Sequence, residues 1–396
     1  MVEIHGECTS GFTPVREAFA ANFAEGRELG AAVCVYRDGR PVVNLWAGDT
    51  GPGGAPWRSG TIAPIASATK GMVAAAAMIL VDRGQLDLDA PVAAYWPEFA
   101  AEGKDRIPVR WVLGHRSGVV AFDPPLTIDD IERGTPVADA LAAARPVWEP
   151  GRGHGYHSLT MGWLVGEIVR RVTGLSVGRF FAKEVASPLG LDLHLGLPAY
   201  EEENLATLVW PTPQQVAAGR RDPAFAELNS ALRDPSSLLY RSTYGSVELT
   251  DGILEDVRVF RAEVPSCGGV GNAESLARMY AALIGEVDGV RLVRPETADR
   301  ARAVESRGLD LVLRCHTCYG RGFMLPGGPM WPDPGMPAAF GHPGATGAFA
   351  YADPDTRLAF AYVPNRMSEL IEGGDDRVLR LMRAAHACAT ALPAPG

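Results

Sequence analysis

An apolar run with a polar head limits this chain more than any other feature. Ser67-Ala68-Thr69-Lys70 passes directly into Gly71-Met72-Val73-Ala74-Ala75-Ala76-Ala77-Met78-Ile79-Leu80-Val81. A helix that is apolar on every side must be enclosed by the rest of its protein. The run is too short to cross a bilayer and is bounded by Lys70 and Asp82. It is therefore expected as an interior helix of a globular fold.

Ser67 and Lys70 are three apart, so on a helix they lie on one face about a turn from each other. A serine hydroxyl is a weak nucleophile until a neighbouring base takes its proton. A lysine is such a base only when neutral, and the partial positive charge of a helix N-terminus disfavours a second cation there. The same first turn points backbone N–H groups at the serine, the start of an oxyanion hole. These residues imply that Ser67 is the nucleophile of an acyl-transfer enzyme.

A chain of 396 residues has room for one large catalytic domain or two. A net charge of −10, with no compensating basic block, argues against nucleic acid and anionic membrane surfaces as partners. The start, Met1-Val2-Glu3-Ile4-His5-Gly6-Glu7, carries no cationic and apolar leader, so a soluble, cytoplasmic protein is expected. Six cysteines form no dense disulfide framework. Cys315-His316-Thr317-Cys318 is a single close pair without a second at metal-ligand spacing. A loop is expected there, and neither a metal nor a cofactor is expected.

Residues 15–25 are patterned as an amphipathic helix. Two β-rich runs, 31–36 and 41–46, flank Asp38-Gly39, a hairpin signal. Further helices are expected near 108–113, 135–144, 159–172, 176–186, 273–284 and 376–391, and strands at 347–352 and 358–363. Residues 200–265 are irregular, as suits a lid or pocket wall. The glycine-rich stretch 267–272 lacks a phosphate-loop ending, so a tight turn is expected. This order implies an α+β fold. An antiparallel sheet is made from both chain ends and flanked by the N- and C-terminal helices, with a mainly helical region inserted. The expected division is 1–65 with 262–396 for the sheet domain and 66–261 for the helical domain, with the active site between them.

Read together, the ordered motifs resemble the serine β-lactamase and penicillin-binding-protein superfamily. Within it, the chain is most similar to the class C β-lactamase-related esterases, or family VIII carboxylesterases. Ser67-Ala68-Thr69-Lys70 matches the first motif, and Leu113-Gly114-His115-Arg116-Ser117-Gly118 a segment that follows it. Tyr156-His157-Ser158 matches the tyrosine motif, and His342-Pro343-Gly344 stands where a Lys-Thr-Gly-type motif is found. Ser187-Pro188-Leu189-Gly190-Leu191 and Tyr319-Gly320-Arg321-Gly322-Phe323 are weaker landmarks.

The resemblance implies a β-lactamase-like fold and a cofactor-free serine carboxylesterase acting on small esters through an acyl-enzyme. It implies that Ser67 attacks, that Lys70 and Tyr156 form the general-base pair, and that His342 binds substrate. The backbone N–H groups of Ser67 and of Ala345, just after Gly344, would hold the oxyanion. Two departures matter. His342 replaces the lysine that attracts a substrate carboxylate, and Ser158 replaces an amide-recognising asparagine. Both tilt the expectation from charged amides toward neutral esters. A β-lactamase, a D-amino-peptidase-like amidase or an acyltransferase would use the same residues.

Gly174-Leu175-Ser176-Val177-Gly178 also fits the serine elbow of α/β-hydrolases. A helix and not a strand precedes it, so Gly174 reads as a C-cap and Ser176 as an N-cap. Trp163, Trp331 and Phe340 are equally compatible with pocket wall and core.

Overall fold

The computed structural model describes residues 2–212, 226–248, 254, 256–332, 335–367 and 375–391. Part of the irregular 200–265 segment lies outside these residues. The strands in chain order are β1 (His5–Cys8), β2 (Gly30–Arg37), β3 (Arg40–Gly48), β4 (Ala63–Pro64), β5 (Leu126–Thr127), β6 (Leu193–Leu195) and β7 (Val247–Glu248). They continue with β8 (Gly269–Gly271), β9 (Ser306–Leu309), β10 (His316–Tyr319), β11 (Phe340–Pro343), β12 (Phe349–Asp353) and β13 (Leu358–Pro364).

The large sheet has the order β1-β3-β2-β13-β12-β11, antiparallel throughout, so its centre joins an early strand to the last one. Asp38 (φ 53°) and Gly39 (φ 74°) turn β2 into β3 with two left-handed residues, the geometry that matches the strand twist. Both faces of the sheet are buried, and alternation along each strand sorts the side chains by size. Ala32, Cys34, Ala350, Ala352, Ala359 and Ala361 face one way; Val33, Val35, Phe349, Tyr351, Phe360 and Tyr362 face the other.

The larger side chains meet α1 (Thr13–Ala24) and the terminal helix Asp376–Ala391 through Phe19, Leu381 and Met382. The small-residue face takes the helix Ala273–Ile284, because alanines let a helix backbone approach closely. On that side lies α2 (Thr69–Asp82), whose residues 69–81 are all buried, as the apolar run demands. Around α2 are α3 (Val109–Leu113), α4 (Ile128–Arg133), α5 (Thr135–Ala143), α6 (Thr160–Thr173) and α7 (Val177–Phe181). The α+β architecture read from the sequence is the one observed.

Some elements differ from expectation. Residues 269–271 are a strand, the middle of a small sheet ordered β4-β8-β6, and not only a turn. Its glycines answer to close neighbours: a Cβ on Gly269 would stand 2.5 Å from Thr69 Oγ1, and one on Gly271 2.5 Å from a Leu193 methyl. Cys318 lies in β10, not in a loop, and accepts a 3.3 Å hydrogen bond from Arg307 Nε. The helix expected to run to 186 widens into a single π turn over Ala182–Ala186.

Candidate active site

The chain enters α2 from β4, which pairs with β8, and the turn between them carries Ser67. Ala66 has φ 43°, a left-handed conformation that costs a non-glycine residue about 1 kcal/mol or more. Thr69 holds that turn: its hydroxyl donates to Ala66 O at 2.5 Å and accepts from Gly269 N at 2.9 Å. Ser67 is thus presented at the helix N-terminus with a sliver of exposure, 5%.

Lys70 is fully buried one turn on. Its Nζ donates to Ser158 O at 2.8 Å and Ser266 O at 3.1 Å, and lies 3.4 Å from Ser67 Oγ. Two carbonyls occupy two directions of the tetrahedral nitrogen, so a third is directed at the Ser67 hydroxyl. The same nitrogen stands 4.7 Å from the centre of the Tyr156 ring. Ser67, Lys70 and Tyr156 are therefore brought together, although 86 residues separate the last two in sequence.

Tyr156 lies outside regular structure, in a stretch fixed by side chains. His115 (φ 59°) accepts from His157 N at its Nδ1 (3.1 Å), while its carbonyl accepts from Gly155 N (3.0 Å). His157 Nδ1–H donates to Gly155 O at 2.7 Å, which leaves Nε2 to accept from the Ser117 hydroxyl at 2.7 Å. Ser117 and His115 both come from the Leu113–Gly118 landmark. The Ser158 hydroxyl accepts from Thr243 at 3.1 Å, so the segment expected as a pocket wall reaches the site.

His342 sits at the end of β11 with its ring centre 6.0 Å from that of Tyr156. Its Nδ1–H donates to Pro343 O at 2.7 Å. Burial, with the nearby Lys70 charge, pushes its pKa down to about 3, so it carries no charge at neutral pH. Gly344 follows directly, and a Cβ there would lie 2.2 Å from Ile65 O and 3.3 Å from Ala68 N. Only glycine lets this strand end lie against the turn that carries Ser67. Ala345 is half-buried beside it.

The depressed histidines make stability pH-dependent. His157 is pushed to about 4, chiefly by burial, and His342 to about 3, both from 6.5. Below pH 6.5 the unfolded chain binds protons that the folded one refuses, so their contribution is intact above 6.5 and lost on acidification. Between pH 7 and pH 5 each should remove about 2 kcal/mol. Urea unfolding at the two pH values should show a smaller acid loss in His342→Asn than in wild type. Identical losses would contradict a neutral buried His342.

Ser176 takes no part in this cluster. It caps α7 by accepting from Arg179 N and donates to Glu263 Oε1 at 2.6 Å, while Gly174 (φ 75°) ends α6. Trp331 packs edge-on against Phe349, Phe340 against Phe323, and Trp163 near Phe122. Among the described residues no group of three or more side chains is arranged to hold a metal ion, and no helix is long and apolar enough to cross a membrane.

The sequence alone does not single out Thr69 or Ser266. Ser266 acts through its carbonyl, which no side-chain pattern signals. Thr69 lies inside the Ser67–Lys70 motif, where its position beside a tight turn was the available clue.

A family model described as Beta-lactamase matches residues 15–384. The chain is 36% identical over 379 residues to "Esterase/beta-lactamase LipL" of Mycobacterium tuberculosis, covering 92% of this chain and 83% of that protein. A crystal structure of a family VIII carboxylesterase superposes with a TM-score of 0.86 at 36% identity, over 98% of this chain and 100% of the other. EstA from Arthrobacter nitroguajacolicus Rue61a superposes with a TM-score of 0.85 at 30% identity, over 99% and 100%.

Proposed function

The chain belongs to the Beta-lactamase family, and from that premise we propose that it is a serine carboxylesterase cleaving small, uncharged carboxylic esters. The observation that carries this reading is Lys70 Nζ, 3.4 Å from Ser67 Oγ and 4.7 Å from the Tyr156 ring centre. Ser67 Oγ attacks the acyl carbon while its proton passes to the Lys70–Tyr156 pair. The charge on the carbonyl oxygen is taken by the backbone N–H groups of Ser67 and Ala345, each such donor being worth about 100-fold in rate or more. The ester C–O bond then breaks, and the pair returns the proton to the departing alcohol. Water repeats the sequence on the acyl-enzyme, releasing the acid and free Ser67.

The substrate class follows from charge. A neutral His342 offers no cation to a carboxylate, and Ser158, engaged by Thr243, is no amide partner of the kind an asparagine provides. The catalytic groups sit between the sheet domain (1–65 with 262–396) and the helical domain (66–261), and the enzyme works in the cytoplasm without a cofactor.

Three measurements test the reading. A fluorophosphonate should add once, on the peptide containing Ser67. The value of kcat/KM for a p-nitrophenyl ester should exceed that for a chromogenic cephalosporin. A larger value for the cephalosporin would make the protein an amidase on the same residues. Faster capture of the acyl group by added alcohol than by water would make it an acyltransferase.

A further inference from the structure

Tyr156 must stand within a fraction of an ångström of its place, yet it lies on a stretch with no strand or helix to hold it. We propose that Asp310 is the residue that positions Tyr156 for proton transfer. This rests on the reading of Tyr156 as half of the general-base pair.

Asp310 is fully buried. Its Oδ1 accepts from Tyr156 N at 3.0 Å, Val312 N at 2.9 Å and Leu313 N at 2.8 Å. One oxygen thereby pins the backbone of Tyr156 to a turn 154 residues further along the chain. Oδ2 accepts from Thr317 Oγ1 at 3.2 Å and Tyr319 Oη at 3.4 Å. Thr317 is also 3.0 Å from His154 Nε2, so the carboxylate cannot rotate without breaking contacts on both sides.

Tyr319 completes the brace. Its ring lies 6.4 Å from that of Tyr156 with only 8° between the planes. The Tyr156 ring also has Lys70 Nζ 4.7 Å from its centre. The backbone of Tyr156 and one neighbour of its ring are thus both tied to Asp310. Asp310 does not touch the reacting atoms. It acts through Tyr156, and the loop's register against α2 depends on where its Oδ1 is.

The role is separable from charge. Asp310→Asn keeps an oxygen able to accept the three N–H bonds, and the Thr317 and Tyr319 hydroxyls can turn to accept from its amide. Asp310→Glu keeps the charge but moves the oxygens by one methylene. With a p-nitrophenyl ester, the asparagine enzyme should hold kcat within about fivefold of wild type. The glutamate enzyme should lose on the order of 100-fold in kcat, the scale of a 1 Å misplacement, with KM within about threefold. Asp310→Ala should resemble the glutamate variant; if it fails to fold, the other two still decide. Thermal unfolding of each variant, run alongside, separates misplacement from loss of folded protein.

A glutamate variant as active as the asparagine one would overturn the proposal. So would losses confined to KM, or losses that follow the unfolded fraction. Tyr156→Phe in the same assay separates the two levels. If it is fully active, the role given to Tyr156 is wrong. If it is inactive while Asp310→Glu is unimpaired, only the positioning role falls.

Discussion

Ser67→Ala should lower kcat/KM for a p-nitrophenyl ester on the order of 1,000,000-fold, the scale seen when a serine hydrolase loses its nucleophile. The fold should survive the change. The hydroxyl makes a long 3.4 Å contact to Lys70 Nζ, so its loss removes little that holds the turn together, which Thr69 secures instead. Melting temperature should move by only a few degrees. The control is Ser176→Ala, which removes a cap and a contact to Glu263 and should cost about 1 kcal/mol of stability with turnover intact. An active Ser67→Ala enzyme beside an inactive Ser176→Ala enzyme would transfer the nucleophile to the elbow-like serine.

Lys70 is the second site of large effect, and two substitutions there ask different questions. Lys70→Met fills similar space but withdraws the donor shared by Ser158 O and Ser266 O. Each carbonyl left without a donor should cost about 1–3 kcal/mol, so this variant should be slow and less stable. Lys70→Arg can still donate to the carbonyls, but a guanidinium does not give up its proton in a protein. Both should lose roughly 1,000-fold or more in kcat, near the upper range for general-base catalysis. An arginine enzyme retaining a tenth of the wild-type rate would show that Lys70 contributes charge alone and takes no proton.

The pair at the head of α2 was legible in the sequence because helix geometry is local: three residues of spacing place Ser67 and Lys70 on one face without knowledge of the rest. The β2–β3 hairpin was legible for the same reason, its Asp38-Gly39 turn being encoded in two residues. The weld between Gly344 and the Ser67 turn was visible only as a motif, since the 2.2 Å approach to Ile65 O depends on chain far away. β11 carries weak strand signals of its own, because Phe340-Gly341-His342-Pro343 has neither alternation nor β-branched residues and ends in proline. The glycines of β8 read as a turn in the sequence, whereas in the fold they make room for Thr69 and Leu193. Asp310 had no local signature at all. Its partner Tyr156 is 154 residues away, and an isolated aspartate looks like any solvated charge until the fold surrounds it.

The strand order β1-β3-β2-β13-β12-β11 has a consequence for biosynthesis. A ribosome delivers Ser67 and Lys70 early, but β2 waits for its neighbour β13, which ends at Pro364. Pairings this distant are slow to form. The nascent polypeptide thus carries Ser67 and Lys70 through most of its synthesis before β13 can pair with β2. The middle of the large sheet is therefore the last part of it that the growing chain can assemble.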